Sequence, residues 1–407
     1  MNYIAIGSAI YGNKGAAAML ETLIQRVSEA DDDANFTLFS LYPKQDKKQN
    51  KHEELVIIPS SPLLLALKII PLCLIYRLFR QLRPWLRQRS SVIDHLCRAH
   101  IYIDQCGISF NDGRSVFLIY NICVLLPGLL MRIPIVKTAQ AMGPFQKSIN
   151  RFAARLFLPK LHSIFSRGSI TFTHLRSLGI ANVSESTDLA FLFKYDNTKL
   201  NVSFQPSDFF GDEGKIVGVA PSAVAARKAE SAGIDYVKAF VGLIGEINRA
   251  GHEVVLFPHS ARQDTNNHHN NDIPLCRQIY KSLANSRGCK LIDSEMSVAQ
   301  LRELVGACDC LLTSRFHAMI GALAMNTPCM VVGWSHKYIE IMDLFGLSEH
   351  VINYRNCVGK EFLDQAISFI SNSGRYQERI KKTLPIIRTL AAEQVTQIVQ
   401  ICCENSD

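Results

Sequence analysis

The feature that most limits the fold is a strand–helix alternation that runs along the chain, stops, and starts again. "YIAIGS" reads as a strand ending at a glycine, and after "YGNKG" Ala, Met and Leu return at three- and four-residue spacing through Val27, as on one helix face. "FTLFSLY" and "LVIIPS" read as strands, a long apolar and basic stretch to Cys97 as helix, and "HIYIDQCG" as a strand running into a Gly loop. A helix over 115–130 broken at Pro127, the strand in "IPIVKTAQAMGP", the unit "HSIFSR", a helix ending at Gly179 and "ANVSESTD" complete the first series. The stretch "KYDNTKLNVSFQPSDFFGDEG" then has mixed charge, Pro and Gly and no period, which marks a linker. The alternation restarts with "KIVGVAPS", a helix over 235–250, "HEVVLFPHS", "CKLID", a helix over 298–307, "DCLLTS", a helix through 319–324 and "PCMVVGW", and the end is mostly helical. Two such series predict two doubly wound parallel-sheet (Rossmann-like) α/β domains facing a cleft. The expected boundaries are 1–193 for an acceptor-side domain, 194–214 for the linker, 215–375 for a donor-side domain and 376–407 for a helical end. A length of 407 residues agrees with two cores rather than one.

Ligands in such sheets sit outside the carboxyl ends of the strands, so the strand-end residues are the candidates. "LLTSRFHAMIGALAMNTP" places Arg315 and His317 on the turn between a strand and a helix. A helix start offers unpaired N–H groups and partial positive charge, an arginine adds a two-pronged anion clamp, and a histidine moves protons near neutral pH. The bland alternative weighs equally on position alone: Ser314 caps the helix and His317 is a satisfied core histidine. The other strand ends supply Gly12 and Asn13 (with Gly15), Gly107 and Asp112, Gln140 (with Gly143 and Pro144), Ser222, His259, and His336 with Lys337. Each alone reads as a turn; together they line one edge of both sheets. His268 and His269 in "NNHHNND" lack any further metal-ligand spacing and read as a solvated loop. No Walker loop, GxGxxG, Gly-x-Ser-x-Gly elbow, paired-carboxylate or nucleic-acid motif is found.

The net charge of +8 suits anionic partners, though a soluble protein with a modest basic excess carries the same number. Twelve scattered cysteines without a CxxC pair, and an opening "MNYIAIGSAIYG" that reads as a strand rather than a signal peptide, predict a cytoplasmic protein with reduced, mostly buried thiols. One stretch complicates this. Residues 63–79, "LLLALKIIPLCLIYRLF", followed by "RQLRPWLRQR", are apolar enough to resemble a span, but Lys68, Pro71 and Arg77 interrupt them. Three readings stay open: a helix pair buried in the first domain, an interfacial helix, and a true span.

Over 306–347, "GACDCLLTSRFHAMIGALAMNTPCMVVGWSHKYIEIMDLFGL", the chain resembles the polysaccharide pyruvyl transferase family, including its colanic-acid type. "GNKGAAAM", "CGISFND", "AQAMGPF" and "SRGSITFTHLRSLGIANVSESTDLAF" echo it in the family's order. The resemblance implies a fold like the GT-B glycosyltransferases and transfer of a pyruvyl group from phosphoenolpyruvate to a sugar of a cell-surface polysaccharide or its lipid-linked precursor, forming a ketal. It assigns donor binding to Arg315 and acid/base chemistry to His317. Ser222, His259, His336 and Lys337 are then expected on the donor side, and Gly12, Asn13, Asp112 and Gln140 on the acceptor side or cleft. No cofactor or metal is expected, and no nucleic acid. Membrane contact through 63–89 would hold the enzyme at the inner face of the cytoplasmic membrane, near a lipid-linked acceptor. Two departures stand out. Ala16 follows Gly15 where the family usually has an acidic residue, and Pro221 stands where many members carry an arginine, leaving Arg227 or Lys228 to replace it. A nucleotide-sugar glycosyltransferase and a non-catalytic member of a glycan-assembly complex are the alternatives.

Overall fold

The computed structural model describes residues 1–194, 214–262 and 270–405. The expected linker, apart from its two end residues, and His268 and His269 lie outside the described residues. The chain divides into two compact units. The first comprises Met1–Tyr11, Ala16–Phe193 and Thr389–Asp407, the second Gly12–Gly15 and Lys194–Arg388.

The first unit holds eight strands: β1 (Asn2–Ile6), β2 (Asn35–Ser40), β3 (Leu55–Pro59), β4 (Ile101–Asp104), β5 (Ile108–Asn111), β6 (Ile135–Gly143), β7 (Ser163–Ser166) and β8 (Val183–Glu185). They pair in parallel in the order β3-β2-β1-β4-β6-β7-β8, with β5 alongside β6. Both faces of the sheet are covered. Ile4 and Ile6 of β1 enter one core with Leu65, Ile69 and Cys73, while Tyr3 and Ala5 enter the other with Leu20, Leu23 and Ile398. The period of two along a strand separates these faces. The closing helix Ser373–Glu404 supplies Ala391, Val395 and Ile398 to the second of these cores.

The long helix expected up to Cys97 is several pieces. Pro62–Leu78 contains a π-helical turn at Leu65–Ile69 and meets Arg80–Arg89 at 114°. Ser91–Arg98 follows, capped by Ser90. Pro127, expected to break its helix, sits inside Leu118–Met131, which ends only at Arg132 in the left-handed region (φ 60°). Its ring removes one N–H near the end of the helix, and the turn that follows still closes onto the Gly128 and Leu129 carbonyls.

Among the described residues the second unit has six parallel strands: β9 (Ile216–Ala220), β10 (Glu253–Leu256), β11 (Cys289–Leu291), β12 (Cys310–Thr313), β13 (Cys329–Gly333) and β14 (Val351–Asn353). Their order is β11-β10-β9-β12-β13-β14. The order reverses between β9 and β12, which are in register from Val217↔Cys310 to Ala220↔Thr313. Val217, Val219, Cys310, Leu312, Met330 and Val332 bury one face against the helix Tyr236–Arg249, through Phe240, Leu243, Ile244 and Ile247. The carboxyl ends of β9 and β12 are therefore level, and the segments leaving them begin at the switch point where such sheets hold ligands.

Candidate functional site

Arg315 is the N-cap residue of the helix Phe316–Ala324, and its own side chain makes no capping bond. Ser314 does not cap it. Its Oγ lies 2.6 Å from the Tyr236 hydroxyl, which also accepts from the Ser222 N–H at 3.3 Å. The Tyr338 hydroxyl donates to the Ser314 carbonyl at 3.0 Å, and Thr313 Oγ1 accepts from the Arg315 N–H and donates to Ala220. Burial pushes both phenols above their ordinary range, so they act as neutral O–H groups. The turn is thus fixed by Thr313 at its start and by side chains from two other helices, Tyr236 and Tyr338.

The strongest partner of Arg315 is Asp272, which the sequence reading had not singled out. Arg315 Nε donates to Asp272 Oδ2 at 2.7 Å and Nη2 donates to Oδ1, a two-pronged pair. The carboxylate is fully buried and also accepts the Ala223 N–H (2.9 Å) and the Ser260 N–H (2.9 Å). One side chain therefore ties the segments after β9, β10 and β12 together. Burial works against the Arg315 charge, but the Asp272 carboxylate outweighs it and raises the guanidinium pKa. The available signal was Asp272 followed by Ile-Pro: an N-cap type residue just before a proline in a helix's first turn, here Ile273–Lys281.

His259 follows β10 and is buried. Burial lowers its pKa well below the usual histidine range, and the nearby His317, Arg315, Arg302 and Lys14 push the same way. It is a neutral imidazole in a cationic field. His317 stands two residues beyond Arg315, its ring edge-on to Phe316 at 5.1 Å.

Gly12–Gly15 completes this cluster. Asn13 forms an antiparallel bridge with Ser260, and Ser260 Oγ donates to the Gly12 carbonyl at 3.3 Å. Gly12 has φ +80°, and a Cβ there would come within 2.5 Å of Arg262 Nε. A Cβ on Gly15 would lie 2.0 Å from His317 Nδ1. Both glycines of "GNKG" are thus required by close approach, the second to the His317 ring itself. Lys14 between them pairs with Glu295 at 2.7 Å.

Of the remaining candidates, Ser222 caps the helix Ala223–Glu230 through the Ala225 N–H. His336 opens the helix His336–Leu344, its Nε2 3.8 Å from the buried Glu340 carboxylate. The Lys337 ammonium sits 4.8 Å from the Phe316 and Trp334 ring centroids and 5.1 Å from Tyr338, an aromatic cage for a cation. Lys228 also lies over the Trp334 ring, 4.9 Å from its centroid. Arg227 is in the last turn of Ala223–Glu230.

Asp112 and Gln140 belong to the first unit and have local work. Asp112 accepts the Gln146 and Lys147 N–H groups and the Asn150 side chain, organising the start of Ser148–Phe157. Gln140 is buried, donating to the Asp104 carbonyl and accepting from Ser109. Among the described residues no three His, Cys, Asp or Glu side chains gather as a metal set.

The profile of the family described as polysaccharide pyruvyl transferase matches residues 13–336, from the "GNKG" turn to His336. The chain belongs to that family. A curated relative, the amylovoran biosynthesis protein AmsJ of Erwinia amylovora, is 19% identical over 422 residues, covering 98% of this chain and 99% of its own. The fold is shared with sugar-nucleotide enzymes. A putative UDP-N-acetylglucosamine 2-epimerase from Listeria monocytogenes superposes with a TM-score of 0.63 at 11% identity, covering 100% of this chain and 97% of its own. MnaA of S. aureus in a structure with UDP gives 0.61 at 12%, with 99% and 97% covered. The spinosyn rhamnosyltransferase SpnG gives 0.53 at 10%, with 98% and 99% covered. At such identities the likeness shows the fold alone: the two-domain GT-B-like arrangement of parallel sheets.

Proposed function

We propose that this member of the family transfers the pyruvyl group of phosphoenolpyruvate to a sugar of a polysaccharide or of its lipid-linked precursor, forming a pyruvate ketal. The observation that carries the reading is the meeting of His317 and the neutral His259 with Arg315, Arg302 and Lys14 beside the start of the helix Phe316–Ala324, within the segment matched to the family. Phosphoenolpyruvate brings a phosphate and a carboxylate, for which N–H groups at a helix start and fixed guanidinium donors are suited. In the reaction one sugar hydroxyl adds to C2 of the enol phosphate, giving up its proton, while a proton goes to the methylene carbon, making a methyl group. The second hydroxyl then displaces phosphate from C2 and its proton leaves with the products. His317 is assigned the proton to and from these oxygens and carbon. Arg315, held by Asp272, presents its remaining N–H donors from a fixed position, and His259 and Lys337 complete the donor side. No cofactor enters this scheme. The work is assigned to the cytoplasm, with 63–89 in peripheral contact with the membrane that carries a lipid-linked acceptor.

The test is phosphate release from phosphoenolpyruvate with a panel of free and lipid-linked sugars. Release by the wild type that His317→Ala abolishes supports the proposal. No release, full activity in the variant, or thermal stabilisation by UDP- or GDP-sugars and not by phosphoenolpyruvate would overturn it.

A further inference from the structure

The first unit carries an apolar surface that its fold leaves uncovered. Pro62–Leu78 is apolar on both sides. Leu65, Ile69 and Cys73 face inward and are buried, while Leu63, Leu67 and Leu78 face outward at 70–75% exposure. The helix Leu118–Met131 packs beside Ile70–Leu78, and Ser148–Phe157 packs beside Leu118–Met131. Each repeats the pattern: Val124 and Leu125, or Ala153 and Ala154, enter the core while Ile119 (75%), or Ile149 (67%) and Phe152 (68%), stay outside. Single exposed apolar side chains are ordinary, but three neighbouring helices with apolar outer faces are not.

Neither apolar segment reads as a crossing. Asp112–Met131 is long and apolar enough, yet a third of it is buried, and the Tyr102 hydroxyl donates to the Val124 carbonyl at 2.9 Å, binding it to the sheet. Pro62–Leu78 is bent from Arg80–Arg89 by 114° and its inner residues belong to the same core. These helices stay with the unit and offer only their outer faces.

Charge decides what covers them. Residues 62–89, 113–134 and 145–160 together carry twelve Lys and Arg and no Asp or Glu. Trp85 is exposed beside Arg87 and Arg89, and Arg151 and Arg155 flank Phe152 on its helix. Apolar faces rimmed by cations, with an exposed tryptophan, match the boundary of an anionic bilayer, where side chains enter the acyl layer and cations meet headgroups. We infer that the outer faces of Pro62–Leu78, Leu118–Met131 and Ser148–Phe157 form one docking surface for an anionic phospholipid membrane. The inference widens the contact assigned to 63–89 to three helices and names its lipid class. It stands apart from the donor chemistry, so a failure here leaves the phosphate-release test with free sugars untouched.

The experiment is sedimentation of the full chain with vesicles of phosphatidylcholine, with and without phosphatidylglycerol. Binding is expected only with phosphatidylglycerol, with a blue shift of Trp85 emission and release by salt. Replacing Arg151 and Arg155 with Gln should weaken binding by about fivefold per charge. Leu67→Glu with Phe152→Glu should weaken it at least about tenfold, with circular dichroism and thermal midpoint unchanged because both positions are exposed. No binding to either vesicle would overturn the inference. So would equal binding to both, or a self-associated form that the Glu variants dissolve while vesicles bind nothing.

Discussion

Asp272→Asn is the sharpest probe of the site, because it removes a charge and keeps the size. The carboxylate it replaces is fully buried and receives four donors: two from Arg315, and the N–H groups of Ala223 and Ser260. Removing one partner of a buried ion pair typically costs about 3–5 kcal/mol. Asn keeps one carbonyl acceptor, so the low end, about 3 kcal/mol, is expected. For a unit of roughly 150–250 residues this lowers the midpoint by about 6–12 °C. Urea unfolding followed by Trp334 emission in a Trp85→Phe background reports on the second unit, because Trp334 packs against Tyr338 at 6.2 Å. Arg315→Met should also destabilise, by leaving the carboxylate buried and unpaired. The double variant should then lose less than the sum, with a coupling of about 2–3 kcal/mol. Additive losses, or an Asp272→Asn protein within about 0.5 kcal/mol of wild type, would refute the claim that this pair holds the three strand-end segments together.

Three further outcomes are expected. Gly15→Ala puts a methyl group where the His317 ring stands, and the displaced ring should lower the rate of phosphate release by about a hundredfold, read in the same assay as the wild type. His317→Ala should lower that rate by about 10²–10⁴ while thermal stabilisation by phosphoenolpyruvate persists, since the variant loses a proton carrier and keeps the fixed cations. His259 has a folded pKa depressed by burial below its unfolded 6.5, so the unfolded chain binds the extra proton first. Its contribution to stability is complete above about pH 6.5 and falls as the pH drops below that, by up to about 1.4 kcal/mol per pH unit. His259→Gln should flatten the stability profile between about pH 6.5 and 5 in urea titrations, and an unchanged slope would count against a buried neutral imidazole.

How far the sequence was legible follows from the range of the interactions involved. β1, β4, β6, β9, β12 and β13 could be read because each is a short apolar run stopped by a polar or glycine turn, a signal carried by consecutive residues. β14 and β5 were missed: Val351–Asn353 is only three residues long, and Ile108–Asn111 sits inside a loop whose glycine and polar residues mask it. The break near Phe79 was open only in the helix-pair reading of 63–89, and the one at Ser90 was missed, because continuous apolar and basic composition gives no period that marks a bend. Arg315, His317 and His259 could be placed on a sheet edge from strand–turn–helix order alone. Asp272 could not be tied to Arg315, because 43 residues separate them and only the fold brings them together. Asp112 follows β5 and Gln140 lies within β6, and there a nearby helix start and a buried carbonyl engage their polar atoms.

The pair also changes what Arg315 can do. A guanidinium has five N–H donors. Asp272 takes the one on Nε and one on Nη2, so three remain, held at a fixed angle. With its charge balanced at short range, Arg315 acts less as a free cation that attracts any anion and more as an oriented donor. An oriented donor needs no reorganisation when charge develops near it, and that is the condition under which such groups stabilise transition states most. Lys14 is balanced in the same way by Glu295, while Arg302 adds positive charge near His259 and Lys337 stands over the Phe316 ring. Just beyond the end of β9 the Asp272 carboxylate binds the Ala223 N–H. The strand-end loop there is therefore fixed by a buried acid, and the cations nearest the Trp334 ring are Lys337, among Phe316, Trp334 and Tyr338, and Lys228.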